Sequence, residues 1–184
     1  GVYTASFLLK KKKNEVLLAL STLTPVDGRF ECFRSKNNVT VIVDYAHTPD
    51  ALLNVLSTIN KIKKAKDKII TVVGAGGDRD KTKRPVMGKI SSELSDKLII
   101  TSDNPRSENP VTIADEVRAG VDEDRKKSAI TIIDRKEAIR TALIIASAGD
   151  IILVAGKGHE DYQEIKGKKY HFDDREIVKE LINM

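Results

Sequence analysis

From residue 39 onward the chain alternates short, unbroken apolar runs rich in β-branched residues with stretches of helical periodicity, and this alternation restricts the fold more than any other feature. The apolar runs predict strands over 39–44, 68–73, 97–102, 129–133 and 150–155, separated by helices over 49–62, 84–94, 112–121 and 135–148. Strand and helix in strict succession imply a parallel sheet covered on both faces, which is also why the runs are apolar throughout instead of alternating. After residue 155 the pattern changes. Segments 162–165 and 169–172, around Lys166-Gly167-Lys168, predict a hairpin followed by a last helix over 174–182. The fold class is therefore α/β, a mostly parallel sheet flanked by helices with a C-terminal β-hairpin.

The first 26 residues read differently. An apolar-polar helical pattern over 3–9 and 15–20 is interrupted by a lysine run and closed by Thr24-Pro25, which predicts the tail of another unit and a boundary near residue 26. The remainder is long enough to bury roughly 70% of the surface its unfolded chain exposes, so it needs neither a disulfide nor a structural metal. The single cysteine, Cys32, agrees with that and with a reducing cytoplasm. Apolar runs such as 151–155 fall far short of the ~20 residues a membrane helix needs, and no export signal precedes them, so no membrane partner is expected. The net charge of +5 is mild, and its lysine runs at 10–13 and 61–68 lack interleaved aromatics. They read as solvated faces, with no nucleic acid as partner, while the positive balance suits a small anionic substrate.

In open α/β sheets ligands bind outside the carboxyl ends of the strands, and here those ends carry the unusual residues. The first strand runs into Asp44-Tyr45-Ala46-His47, the second into Gly74-Ala75-Gly76-Gly77-Asp78-Arg79, the third into Asp103-Asn104-Pro105-Arg106, the fourth into Asp134-Arg135 and the fifth into Gly156-Lys157-Gly158-His159-Glu160. The glycine segment matches neither the G-x-G-x-x-G dinucleotide pattern nor a P-loop, so a dehydrogenase is disfavoured. Arg79, Lys81, Lys83 and Arg84 before a helix opening at Pro85 favour an anionic ligand. Pro105 stiffens the turn that carries Arg106, whose planar fork suits a carboxylate or phosphate. Glycines 156 and 158 permit close backbone approach, and Glu160 can receive an ammonium group. His47, His159 and His171 have no metal-ligand spacing, so no metal site is expected, and His47 is either a general base or a turn former. A cationic, glycine-lined site with one acid for an amine fits an amino acid.

Several segments together resemble one family in order. They are Asp27-Gly28-Arg29-Phe30, Val43-Asp44-Tyr45-Ala46-His47-Thr48-Pro49-Asp50, Gly76-Gly77-Asp78-Arg79-Asp80-Lys81, Lys83-Arg84-Pro85-Val86-Met87-Gly88, Asp103-Asn104-Pro105-Arg106 and Gly156-Lys157-Gly158-His159-Glu160-Asp161-Tyr162-Gln163. From Gly28 to the end the chain is similar to the C-terminal part of the Mur ligases, most closely the branch that adds meso-diaminopimelate, with lysine-adding or other Mur-type ligases as the alternative.

The resemblance implies a Rossmann-like C-terminal domain over 27–184, preceded over 1–26 by the end of a central ATPase domain. It implies an ATP-dependent ligase of peptidoglycan synthesis in the bacterial cytoplasm. In this family ATP phosphorylates the D-glutamate side-chain carboxylate of UDP-MurNAc-L-Ala-D-Glu, and the incoming amine attacks the acyl phosphate while Mg2+ offsets the phosphate charge. The P-loop and modified lysine belong to the central domain, so the chain alone is expected to be inactive. By motif, Arg29, Asp44, Tyr45 and His47 correspond to nucleotide contacts. Arg79, Asp103, Asn104, Arg106, Gly156 and Glu160 correspond to the diaminopimelate site, with Arg106 on the distal carboxylate and Glu160 with Gly156 on the distal amine. No catalytic residue is assigned.

Overall fold

The structure is a computed structural model that describes residues 12–16 and 26–183. The helical pattern over 3–9 lies outside the described residues. Of the pattern over 15–20 only 15–16 are described, within a helical stretch at 13–16, and the Thr24-Pro25 stop lies outside them.

Among the described residues from 26 on, eight strands and five α-helices follow in order: β1 (Glu31–Arg34), β2 (Thr40–Asp44), α1 (Pro49–Ile62), β3 (Ile69–Val73), α2 (Lys83–Glu93), β4 (Lys97–Ile100), α3 (Pro110–Arg118), β5 (Ala129–Thr131), α4 (Arg135–Ile145), β6 (Ile151–Ala155), β7 (Tyr162–Ile165), β8 (Lys168–His171) and α5 (Asp174–Ile182). Strands β1 to β6 form one sheet in the order β1-β2-β6-β3-β4-β5. All its neighbours are parallel except β1, which pairs antiparallel with β2 at the edge.

The unbroken apolar strands are explained by two cores, since alternate residues of each strand face opposite sides. Ile42, Leu153, Val73, Leu98 and Ile100 pack against Leu52, Leu56 and Ile59 of α1, Met87 of α2 and Ile113 and Val117 of α3. Val41, Val43, Ile70, Val72, Ile99, Ile152 and Val154 pack against Ala138, Ile139 and Ala142 of α4 and Ile177 and Val178 of α5. Thr71 is the polar exception in the buried strands, and its hydroxyl shares a 2.6 Å hydrogen bond with Ser95.

Local chemistry sets the helix starts. Thr48, Asn109, Asp134 and Asp173 each cap a helix by accepting a backbone N–H, and prolines occupy the first turns of α1 and α3. Helix α2 lacks a side-chain cap and opens at Lys83, two residues before the expected Pro85. The β7–β8 hairpin turns through Lys166 and Gly167, both at positive φ (49° and 74°), the signature of a two-residue primed turn.

Two elements were not expected from sequence. Strand β1 is four residues long with mixed burial, and the 3-10 helix Glu123–Ser128 buries nothing, so neither carries a periodic apolar signal. Among the described residues no helix is long and apolar enough to cross a membrane.

Candidate functional site

The carboxyl ends of β2, β3, β4 and β6 surround a cavity of about 510 Å3. Tyr45 and His47 line it after β2, and Gly76 and Arg79 after β3. Asp103, Asn104 and Arg106 line it after β4, and Gly156 and Glu160 after β6. The residues expected to recognise the amino acid are therefore brought together. Arg29 and Asp44 lie beside the cavity instead of in its wall: the Arg29 guanidinium sits 4.7 Å above the Tyr45 ring, and Asp44 accepts the Phe30 N–H at 2.8 Å.

Glycines make this geometry possible by letting loops touch. A side chain at Gly77 would place its Cβ 1.9 Å from the Pro105 carbonyl oxygen, and one at Gly74 would come within 2.5 Å of the Thr101 carbonyl. The two loops are laced together where they meet. Gly77 donates its N–H to Asn104 O at 2.8 Å, Arg106 Nη1 donates to Gly77 O at 2.7 Å, and the Asp78 carboxylate accepts from the Ser107 hydroxyl and N–H. We predict that Gly77→Ala destabilises the protein by about 1–3 kcal/mol through overpacking and also displaces Arg106. Thermal unfolding and amino-acid binding measured on the same variant should deteriorate together.

Arg106 adopts a left-handed backbone (φ 51°), an unusual state for a non-glycine residue. It is held there by a bond from its N–H to Glu164 O and one from Lys166 N–H to its own carbonyl, so the C-terminal hairpin clamps the arginine. Its side chain is 19% exposed, with Glu164 Oε2 3.5 Å from Nε. Both terminal nitrogens keep N–H groups beyond the single Gly77 bond, enough for a bidentate carboxylate.

The acidic end is equally constrained. Glu160 Oε2 accepts from Asn104 Nδ2 at 2.8 Å, and Oε1 lies 3.5 Å from the Tyr45 hydroxyl. Burial, followed by the Glu160 charge, pushes the Tyr45 phenol above its ordinary value and keeps it a donor. Gly156, at φ 120°, leaves room for Asp103, whose Oδ2 would be 2.7 Å from any Cβ there. His47 Nδ1 is 2.8 Å from the Tyr45 carbonyl, which can only accept, so Nδ1 carries the proton and Nε2 is the free ring nitrogen.

Two features escaped the sequence reading. Lys157 is buried within the site, while Arg84, read as a cation for an anionic ligand, is 1% exposed and serves the protein itself. Arg84 is tied to Glu108 by two bonds of 2.8 and 3.0 Å, to Glu116 and to the Gly76 carbonyl. Lys81 also pairs with Glu108, at 3.0 Å. A surface arginine and a neutralised buried one look alike in sequence, because their partners lie 24 and 32 residues away.

The Arg84 hydrogen bonds, joined by the Asp78 N–H and Lys81, hold the Glu108 carboxyl well below the usual carboxylate range. A depressed folded-state pKa contributes stability that is full above the unfolded value of about 4.3 and is lost as pH falls toward the folded one. Glu108→Gln should therefore lower Tm at pH 7 and converge on the parent protein in acid, which thermal unfolding across pH 7 to 2 would read.

The fold and this cavity define an α/β domain with a polar cavity open at the strand ends, lined by the guanidinium groups of Arg79 and Arg106 and by the carboxylates of Asp103 and Glu160. More particularly, the chain belongs to the Mur ligase family: residues 28–158 match the family model described as Mur ligase, glutamate ligase domain. It is 60% identical over 183 residues to the UDP-N-acetylmuramoyl-L-alanyl-D-glutamate–2,6-diaminopimelate ligase of Bacteroides thetaiotaomicron, covering all of this chain and 38% of that protein. The enzyme of the same name from Aquifex aeolicus is 52% identical over 157 residues, covering 85% of this chain and 32% of that protein. A solved structure of a ligase of that name superimposes with a TM-score of 0.79 at 37% identity, covering 98% of this chain and 36% of its own. The chain thus spans less than two fifths of the length of these relatives.

Proposed function

We propose that this chain is the C-terminal part of an ATP-dependent ligase that joins meso-diaminopimelate to UDP-MurNAc-L-Ala-D-Glu in peptidoglycan synthesis, and that its cavity receives the diaminopimelate. The observation that carries this reading is the pairing, in one cavity, of a clamped guanidinium with free donors at Arg106 and a carboxylate with an available oxygen at Glu160. The names of the relatives at 52–60% identity support the same substrate.

One amino-acid head of meso-diaminopimelate would lie in the cavity, its carboxylate on Arg106 with Arg79 at the rim, its ammonium on Glu160 near Gly156. Asn104 and Asp103 would shape this subsite. The other amine then projects from the mouth and is positioned to attack an activated carboxylate, which is where fixed orientation lowers the barrier. L-Lysine lacks the distal carboxylate, and binding it leaves the terminal nitrogens of Arg106 without a carboxylate, since Glu164 lies on the Nε side, a penalty of order 2–5 kcal/mol.

ATP is the second substrate and supplies the acyl phosphate when bound. The exposed Arg29 guanidinium, stacked on Tyr45, suits a phosphate, and Asp44 and His47 stand next to it. Among the described residues no group of three or more His, Cys, Asp or Glu side chains is placed to hold a metal ion. By the family resemblance Mg2+ is assigned mainly to the central domain. Residues 1–26 are assigned to the end of the central ATPase domain and 27–184 to the C-terminal domain. The sequence has no P-loop motif, so this chain alone is expected to bind without turning over, and the complete ligase to work in the bacterial cytoplasm. The reading is tested by assaying the complete ligase for ATP-dependent addition of meso-diaminopimelate against L-lysine. Preferential addition of lysine would overturn it.

A further inference from the structure

The subsite proposed for a substrate ammonium already contains one belonging to the protein. The Lys157 side chain is 0% exposed, and its Nζ donates to Asn104 Oδ1 at 3.1 Å and lies 3.5 Å from Glu160 Oε2. The ammonium also stands 5.6 Å from the centre of the Tyr162 ring. Its flanking residues explain how it reaches this place: Gly156 and Gly158 both have positive φ (120° and 54°), which turns the chain sharply on either side and sends the lysine inward. A buried lysine is costly unless it is paired and hydrogen-bonded, and here its partners are the two residues that receive the ligand.

Consider what this does to Asn104. Its Oδ1 accepts from two donors, Lys157 Nζ at 3.1 Å and the Glu164 N–H at 2.9 Å, and a third donor is not needed. The amide cannot flip without facing its NH2 toward an ammonium and a backbone N–H. Nδ2 is thereby forced toward Glu160 Oε2, and that oxygen is taken. Oε1, with only the Tyr45 hydroxyl at 3.5 Å, is left for an incoming amine.

We propose that Lys157 is a positioning residue of the amine subsite: it fixes the orientation of the Asn104 amide and pairs with Glu160, so that one defined carboxylate oxygen faces the substrate ammonium. This rests on the reading of the cavity as the diaminopimelate site. Lys157 is out of reach of the cavity surface and takes no part in contacting the substrate.

The test is steady-state kinetics on the complete ligase. Lys157→Met, close in length and without donor or charge, should raise KM for meso-diaminopimelate at least tenfold, with kcat changed less than threefold and KM for ATP unaltered. Lys157→Gln, which keeps a donor for Asn104 Oδ1, should fall between the two. An unchanged diaminopimelate KM in Lys157→Met overturns the proposal, and so does a parallel loss of kcat and ATP affinity, which would mark a purely structural lysine. Should neither variant fold, a crystal structure of the parent ligase with meso-diaminopimelate decides. Nζ on Asn104 Oδ1 with the ligand amine on Glu160 supports the role, and Nζ outside hydrogen-bond reach of Asn104 removes it. A parent ligase that adds L-lysine but no diaminopimelate would defeat the substrate assignment alone. The Lys157 comparison would then be made with lysine, whose side-chain ammonium meets the same carboxylate.

Discussion

Replacing Arg106 with alanine in the complete ligase is expected to lower kcat/KM for meso-diaminopimelate by roughly 30- to 4,000-fold, while any activity toward L-lysine changes little. The magnitude follows from truncating one partner of a largely desolvated, hydrogen-bonded charge pair, about 2–5 kcal/mol, at 1.4 kcal/mol per factor of ten. The asymmetry is the diagnostic part. Arg106 is only 19% exposed, so a substrate carboxylate there meets a guanidinium with little competing water, whereas lysine has no group to lose. Because Nη1 also holds the Gly77 carbonyl, Arg106→Lys provides the control. It keeps the charge and loses the fork, and should give an intermediate loss for diaminopimelate. Steady-state kinetics with both amino acids read the effect. Equal losses for the two would mean that Arg106 acts by supporting the loop and does not select the carboxylate.

Arg135→Ala should destabilise the domain by about 3–5 kcal/mol, a Tm decrease on the order of 10 °C. Arg135 and Asp174 are both 0% exposed, joined by two hydrogen bonds of 2.8 and 2.7 Å between the first turns of α4 and α5. Truncating the arginine leaves a carboxylate buried without its partner, which costs far more than the pair itself contributes. The same guanidinium donates to Ala155 O at 3.0 Å and reaches Ser102 O at 3.5 Å. Those carbonyls immediately precede the loops that carry Gly156 to Glu160 and Asp103 to Arg106. Loss of stability should therefore be accompanied by weaker amino-acid binding. Arg135→Met combined with Asp174→Leu, which removes both charges, should recover most of the Tm. Failure of the double variant to recover would show that the carbonyl bonds, and not the isolated carboxylate, dominate. Thermal unfolding of the two variants beside the parent distinguishes these cases.

The sheet was legible in the sequence because each inner strand is buried on both faces, so its β-branched run is continuous and its ends are marked by polar, glycine-bearing loops. The rule that ligands sit outside the carboxyl ends singled out five loops, of which four meet at the cavity; the fifth, Asp134-Arg135, instead caps α4 and pairs with Asp174. Legibility failed where the decisive partner is distant in the chain. Arg84 reads as a free cation until Glu108 and Glu116 are seen against it, and Lys157 carries no role in the sequence reading until it is found on Asn104, 53 residues earlier. The one signal for Lys157 was local, a lysine held between two glycines directly after a buried strand. Strand β1 offered none, since four residues at a sheet edge need no periodic pattern. Arg106 was found through its motif, but the left-handed backbone that aims it depends on the hairpin at Glu164 to Lys166 and could not be foreseen from Pro105 alone.

The central claim is that this cavity recognises an amino-acid head bearing a carboxylate and an ammonium together. The most direct measurement is an NMR titration of the 15N-labelled chain with meso-diaminopimelate and, separately, with L-lysine. The account predicts that diaminopimelate shifts the resonances of Asn104, Arg106, Gly156 and Glu160 at concentrations where lysine leaves Arg106 unmoved. Equal shifts at Arg106 with lysine, or shifts confined to residues outside the cavity, would contradict it.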